Sequence, residues 1–228
     1  MAARSSGAEG RRTAGELVLP AAVAHAAAPA RPAPGRLSAS VIEACVLAAG
    51  RGSRLGGAKH LLALDGVPLL ERVVRTLAAT SAARIFVVLA PDDVRGAALA
   101  ETLGVAVVLA EDPDEGRAAS VRAAVRAASP DAIGLLFALA DQPFLEAADF
   151  ERLFTELRAE PGAIVRARYA GEPGSPVLFA RAFFPDLLEL RGREGGRSVI
   201  AAQADALRFV DLPPPRGRDL DRPEDLPS

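Results

Sequence analysis

The sequence predicts an α/β fold: a single Rossmann-like three-layer domain with a mainly parallel mixed sheet and helices on both faces. Three observations carry this. Short apolar runs alternate with helical patterns from about Val41 onward, and such alternation builds a sheet covered by helices on both sides. The run Ile133-Gly-Leu-Leu-Phe-Ala-Leu-Ala140 is apolar almost throughout, as a central strand buried on both faces must be. The first apolar run passes directly into a glycine-rich loop, and in such folds ligands bind beyond the carboxyl ends of the strands.

Each element has its own signal. Strands are predicted at 42–47, 84–89, 105–109, 133–140, 163–168, 176–179 and 207–210, where short runs rich in Val, Ile, Leu and Phe stand between turn residues. Helices are predicted at 69–79, 92–103, 118–128, 147–159, 182–190 and 197–204. The first has Leu69, Leu70, Val73, Val74 and Leu77 on one stripe, the spacing of a half-buried helix.

Residues 1–40 read differently. Ala, Pro, Ser, Gly and Arg dominate without a period of 2 or 3.6, which predicts a disordered extension. An Arg/Ser/Ala-rich targeting segment is the sharper alternative, weakened by Glu9 and Glu16. The folded domain is expected to cover 41–228. The 228 residues, half of them hydrophobic, suffice for a full core. A formal net charge of -2 argues against a dedicated nucleic-acid binder. The lone Cys45 sits in an apolar run and reads as a buried structural thiol. No apolar stretch is long enough to span a bilayer and no Cys/His cluster has zinc spacing, so a cytoplasmic location is expected.

The basic residues are biased: of 27 Lys and Arg, Lys59 is the one lysine. It falls in Ala48-Ala-Gly-Arg-Gly-Ser-Arg-Leu-Gly-Gly-Ala-Lys-His60. Glycines let backbone amides approach an anion closely, and Arg54 and Lys59 add positive charge. Two familiar phosphate loops fail here. Gly50 and Gly52 fit a dinucleotide fingerprint, but Leu55 stands at its third glycine. A P-loop starting at Gly52 would need Lys directly after Gly57, where Ala58 intervenes. A plain glycine turn with solvated cations is the bland alternative. An ammonium is a compact point charge and a guanidinium a rigid fork, so a site needing a lysine between phosphate oxygens would resist the drift to arginine.

The segment Leu47-Ala-Ala-Gly-x-Gly-x-Arg-x-Gly-x-x-Lys59, followed by Leu62 and Asp65-Gly-x-Pro-Leu-Leu70, resembles the signature of the MobA-like NTP transferases, among them most the molybdenum cofactor cytidylyltransferases. The resemblance runs from about Val41 to Leu226. It implies the nucleotide-diphospho-sugar transferase type of fold, with Leu47, Ala48, Ala49, Gly50 and Gly52 wrapping a nucleotide and Arg54 and Lys59 contacting its phosphates. Ser120, in Glu115-Gly-Arg-Ala-Ala-Ser120, matches a serine that lies near the nucleotide in the family, although a helix start explains it nearly as well.

Nucleotidyl transfer expels pyrophosphate from a polyanionic substrate, and Mg²⁺ bridges its oxygens. One or two carboxylates suffice to hold that ion. Asp141 follows the central strand in Ala140-Asp-Gln-Pro-Phe144, the place where ligands collect; a turn aspartate before Pro143 is the alternative. Asp221, in Asp219-Leu-Asp-Arg-Pro-Glu-Asp-Leu226, resembles a closing segment of the family that completes the metal site. It reads equally as a helix N-cap with Glu224.

Ala49, where guanylyl relatives favour glycine, and the Asp-Gln-Pro form of the second motif imply CTP rather than GTP. The acceptor-side segments Gly171-Glu-Pro-Gly-Ser-Pro176 and Gly192-Arg-Glu-Gly-Gly-Arg197 depart from the family pattern: Ser175 replaces a usual His, and Arg193 a usual acidic residue. The implied activity is transfer of CMP from CTP to a phosphate-bearing acceptor such as molybdopterin, with Mg²⁺ and possible contact with a molybdoenzyme or its chaperone. A GTP-using relative of the same family, a nicotinamide-dependent reductase and a non-catalytic nucleotide-binding module are the alternatives.

Overall fold

The computed structural model describes residues 41–50, 59–112, 115–193 and 195–220. The expected extension at 1–40, together with Gly52, Arg54 and Asp221, lies outside the described residues.

Seven strands form one sheet: β1 (Val41–Leu47), β4 (Arg84–Leu89), β5 (Ala106–Leu109), β6 (Ala132–Leu139), β7 (Ile164–Tyr169), β8 (Glu172–Ala180) and β9 (Leu207–Leu212). Their order is β5-β4-β1-β6-β8-β7-β9. β1 pairs in parallel with β4 and β6, and β7 with β9, while β8 runs antiparallel to both its neighbours. The sheet is therefore mainly parallel and mixed. Helix α1 (Leu69–Ala78) touches β1, β4 and α4 (Ala147–Ala159). Helix α3 (Arg117–Ala127) touches β1, β4, β5 and α5 (Phe184–Leu188), so the central strands are covered on both faces. No helix among the described residues is long and apolar enough to cross a membrane.

The apolar stripe predicted for α1 is the buried one: Leu69, Leu70, Val73, Val74 and Leu77 all face the interior. On β6 the glycine has a packing reason. A Cβ on Gly134 would stand 2.4 Å from Leu157 Cδ2 on α4 and 3.0 Å from the Phe179 carbonyl oxygen on β8. Cys45 is fully buried on β1, and burial pushes its thiol pKa up.

Several boundaries differ from expectation. The strand expected at 176–179 begins at Glu172, so the first acceptor-side segment is part of a strand. The helix expected at 182–190 is divided into a 3-10 turn, Arg181–Phe183, and the short α5, with Pro185 in its first turn. Helix α2 (Val94–Thr102) starts at Val94, because Asp93 caps it by accepting from the Gly96 N–H at 2.9 Å. A small hairpin, β2 (Ala63–Leu64) and β3 (Val67–Pro68), was not expected. Its Asp65-Gly66 turn has positive φ at both residues, 52° and 77°, the geometry that Asp-Gly favours in two-residue hairpins.

Strand order locates the crevice. From β1 the chain moves outward to β4 and β5, then returns to the other side of β1 at β6. The loops leaving β1 and β6 thus diverge from neighbouring carboxyl ends, which is where ligands bind in open α/β sheets.

Candidate functional site

β1 ends at Leu47, and the ladder continues just beyond it: the Ala48 N–H donates to the Val88 carbonyl at 2.9 Å and the Ala140 N–H to the Leu47 carbonyl at 3.3 Å. Ala48 and Ala49 are buried and Gly50 is exposed. A Cβ at Gly50 would meet nothing within 4 Å, so open space lies beside this backbone position. It is described again at the 3-10 turn Lys59–Leu61.

Lys59 and Asp141, 82 positions apart in sequence, meet at the head of this crevice. Lys59 Nζ donates to Asp141 Oδ2 at 2.6 Å, with the side chains 15% and 27% exposed. Asp141 Oδ1 is buried and has no hydrogen-bond partner among the described residues. A desolvated carboxylate oxygen without a donor is costly, and a cation is the partner that fits it. Among the described residues no group of three or more His, Cys, Asp or Glu could hold a metal by itself. The described protein ligand set is one carboxylate, enough for a hydrated Mg²⁺ but not for a dehydrated cage.

The next residue, His60, is buried and faces the opposite way. Its Nε2 lies 2.7 Å from Asp93 Oδ2. The approach is off the line of a hydrogen bond, so Nε2 has no aligned acceptor among the described residues. Burial lowers the His60 pKa, and Asp93 opposes that only in part. The Lys59–Leu61 turn is thereby held between the loops that follow β4 and β6.

The segment after β9 closes the same end. Gln142 is buried and its Nε2 donates to Asp219 Oδ1 at 2.8 Å, while the Leu220 N–H donates to the Asp141 carbonyl at 3.0 Å. Arg216 pairs with Glu146 and donates to the Phe144 carbonyl at 3.3 Å, and this pairing lowers the Glu146 pKa. Leu220 packs with Leu64 and Leu69 in a small apolar cluster edged by Leu62 and Phe144. The residue preceding Asp221 is thus fixed against the Asp141 backbone.

Ser120 is buried in the first turn of α3, with no hydrogen bond to Lys59 or Asp141 among the described residues. Just before that helix, Glu115 holds both terminal nitrogens of Arg122 and accepts from the Gly192 N–H at 3.3 Å. Arg122 first, and then the Gly192 amide, bring the Glu115 pKa down to about 2. The Ala118 N–H completes the junction by donating to the Gly192 carbonyl at 3.1 Å.

Residues 44–207 match the MobA-like NTP transferase domain, most of the chain and the carboxyl ends of both β1 and β6. The chain belongs to the MobA-like NTP transferase family. It is a nucleotidyltransferase. It is 32% identical over 197 residues to a probable molybdenum cofactor guanylyltransferase of Opitutus terrae, covering 82% of this chain and 94% of that protein. It is 37% identical over 147 residues to a 2-C-methyl-D-erythritol 4-phosphate cytidylyltransferase of Streptomyces avermitilis, covering 60% of this chain and 56% of that one. Among solved structures, Rv0371c of Mycobacterium tuberculosis superimposes with a TM-score of 0.71 at 28% identity, covering 83% of this chain and 96% of that one. A manganese complex of Rv0371c aligns at a TM-score of 0.63 and 28% identity, covering 77% and 89%.

Sequence reasoning missed three parts of this MobA-like site: the His60–Asp93 contact, the Gln142–Asp219 tether and the Glu115–Arg122 clasp. The first had a signal in the buried His60 beside the lone lysine. The other two join residues 77 and 7 positions apart whose pairing no local pattern announces.

Proposed function

We propose that this protein transfers CMP from CTP to a phosphate-bearing acceptor, with molybdopterin or the molybdenum cofactor as the leading acceptor, and releases pyrophosphate. The observation that carries the reading is the Lys59–Asp141 pair at 2.6 Å, with Asp141 Oδ1 buried and unpartnered. An acceptor phosphate oxygen attacks the α-phosphorus, a new P–O bond forms, and the α–β bridge breaks with its electron pair leaving on pyrophosphate. No general base is required, because the attacking oxygen is already ionised.

The chain's own residues supply position and charge. Lys59 and Arg54 offset the negative charge of the triphosphate as it develops on the leaving group. Leu47, Ala48, Ala49, Gly50 and Gly52 wrap the nucleotide, with Ser120 beside it. Asp141 would hold Mg²⁺, with Asp221 as the second ligand, and the ion would supply Lewis-acid polarisation of phosphate oxygens. The ammonium of Lys59 keeps Asp141 compensated before substrate arrives. With the triphosphate bound, Lys59 would turn to its phosphates and Asp141 to the cation, so both desolvated charges would keep a partner.

The base preference rests on buried Ala49 and on the Asp-Gln-Pro motif, both in favour of a cytidine nucleotide. GTP is the second reading, favoured by the guanylyltransferase relative. Pyrophosphate release from each of the four NTPs, with and without a molybdopterin-type acceptor, tests both. Release with CTP alone supports the proposal. Release with GTP alone replaces the base assignment, and release with neither removes the reading.

A further inference from the structure

The chain has one tyrosine, Tyr169, and it closes β7. Because β6 and β7 both run antiparallel to β8, and β9 runs parallel to β7, the carboxyl ends of β6, β7 and β9 share one end of the sheet. Tyr169 stands in register with Leu212, the last residue of β9. Beyond Leu212, residues 213–220 form a strap that crosses to the turn after β6. There the Leu220 N–H meets the Asp141 carbonyl at 3.0 Å.

The ring of Tyr169 supports the strap midway. A Cβ on Gly217 would stand 2.6 Å from Cε2 of the ring and 2.7 Å from Cδ2 and Cζ, too close for any side chain. The same edge of the ring meets Gly174 on β8, where a Cβ would stand 2.6 Å from Cε2. The hydroxyl donates to the Ser175 carbonyl at 2.6 Å. Burial first, and then the charges of Asp149 and Asp219, raise its pKa, so it remains a donor at neutral pH. With ring and hydroxyl both held by β8, the ring cannot swing aside to admit a side chain at 217.

The strap itself is stiff. Pro213, Pro214 and Pro215 fix its first φ angles, and Pro214–Gly217 closes into a 3-10 turn. On either side of Gly217 its holds converge on the segment from Asp141 to Glu146. Arg216 takes the Phe144 carbonyl and Glu146, Asp219 accepts from Gln142, and Leu220 donates to Asp141. Where Gly217 rests on the ring therefore sets where the Asp141 backbone is held. We propose that Tyr169 is a positioning residue for nucleotidyl transfer: through Gly217 and the strap, its ring holds the Asp141 turn so that the carboxylate faces the cation of the bound nucleotide. This role rests on the metal reading above and adds a residue that acts on the site only through the strap.

Two measurements on the full chain test it: exchange of the Leu220 amide by NMR, and calorimetry of CTP with and without Mg²⁺. Tyr169→Leu removes the ring, and Gly217→Ala keeps the ring but pushes the strap off it. Each should speed Leu220 exchange and weaken magnesium-dependent CTP binding about tenfold, the scale of one lost hydrogen bond, and leave metal-free CTP binding unchanged. Tyr169→Phe keeps the ring and should behave as wild type in both measurements. Ser129→Ala loses a hydrogen bond to Glu43 at the amino ends of the strands; it should lower Tm and move neither readout. Unchanged Leu220 exchange in Tyr169→Leu and Gly217→Ala overturns the proposal. So does faster exchange with magnesium-dependent binding intact, and so does an equal loss of CTP affinity with and without Mg²⁺, which would make Tyr169 a packing residue. Wild-type CTP affinity indifferent to Mg²⁺ would instead remove the metal reading, while Leu220 exchange would still decide whether Tyr169 holds the Asp141 turn.

Discussion

Asp141→Asn keeps the side chain's shape and removes its charge, and stability and activity should then part company. The ion pair with Lys59 is close, 2.6 Å, but its side chains are 15% and 27% exposed, so solvent still screens it and its net worth is about 0–1 kcal/mol. Against that stands the buried, unpartnered Oδ1, whose desolvation costs about 1–3 kcal/mol and is relieved only in part, because the amide leaves a neutral polar atom in the same buried place. The two effects oppose each other. The net change should stay within about 1 kcal/mol, a shift in Tm of about 2–4 °C for a chain of this size. Turnover has no such compensation. Loss of one preorganised electrostatic contact to the reacting phosphates costs about 10²–10³-fold. Thermal melts by circular dichroism, calorimetry of CTP with and without Mg²⁺, and pyrophosphate release read the three quantities separately. Unchanged magnesium-dependent CTP affinity would sink the metal assignment, and a Tm loss above about 8 °C would make Asp141 a structural residue instead.

Gly134→Ala should destabilise the central strand by about 1–3 kcal/mol, because its Cβ would meet both Leu157 and the Phe179 carbonyl; urea denaturation reads this, and wild-type stability would contradict it. Gly96→Ala places a Cβ 2.5 Å from Asp93 Oδ2 and 2.8 Å from His60 Nε2, so it should shift the Lys59–Leu61 turn and weaken CTP binding in the folded variant. A lowered Tm with unchanged CTP affinity would reduce His60 to packing. The Glu115–Arg122 clasp should show in acid. The folded pKa of Glu115 is depressed to about 2, so its stabilisation is complete above the unfolded carboxyl range near pH 4.5 and fades as pH falls toward 2. The Tm gap between wild type and Glu115→Gln should therefore close over that interval; a gap constant from pH 6 to 2 would refute it.

The fold was legible because its strongest signals are local. The stripe of α1 and the unbroken apolar run of β6 each state their own burial, and alternation of the two types leaves few architectures open. What stayed hidden is what local pattern does not encode. The length of β8 depends on pairing with β6 and β7, both distant in sequence, and the Asp65-Gly66 hairpin was overlooked although its turn residues were in plain view. At the site, strand-end position together with the glycine loop and the family resemblance put Lys59 and Asp141 near one crevice, and the structure brings them into contact. Gln142–Asp219 and His60–Asp93 could not be read, since each depends on which loops the strand order makes neighbours. Arg193, a departure from the family pattern in sequence, lies against the start of α3, where a Cβ on Gly116 would stand 3.0 Å from its Cγ.

The lone lysine carries the central claim, and one kinetic comparison tests it: magnesium-dependent pyrophosphate release from CTP by wild type, Lys59→Ala and Lys59→Arg, each first shown to melt like wild type. Loss of turnover in the alanine variant and poor turnover in the arginine variant are expected, because a planar fork does not replace a point charge between phosphate oxygens. Full activity in the arginine variant would contradict that role, and full activity in the alanine variant would remove Lys59 from the site.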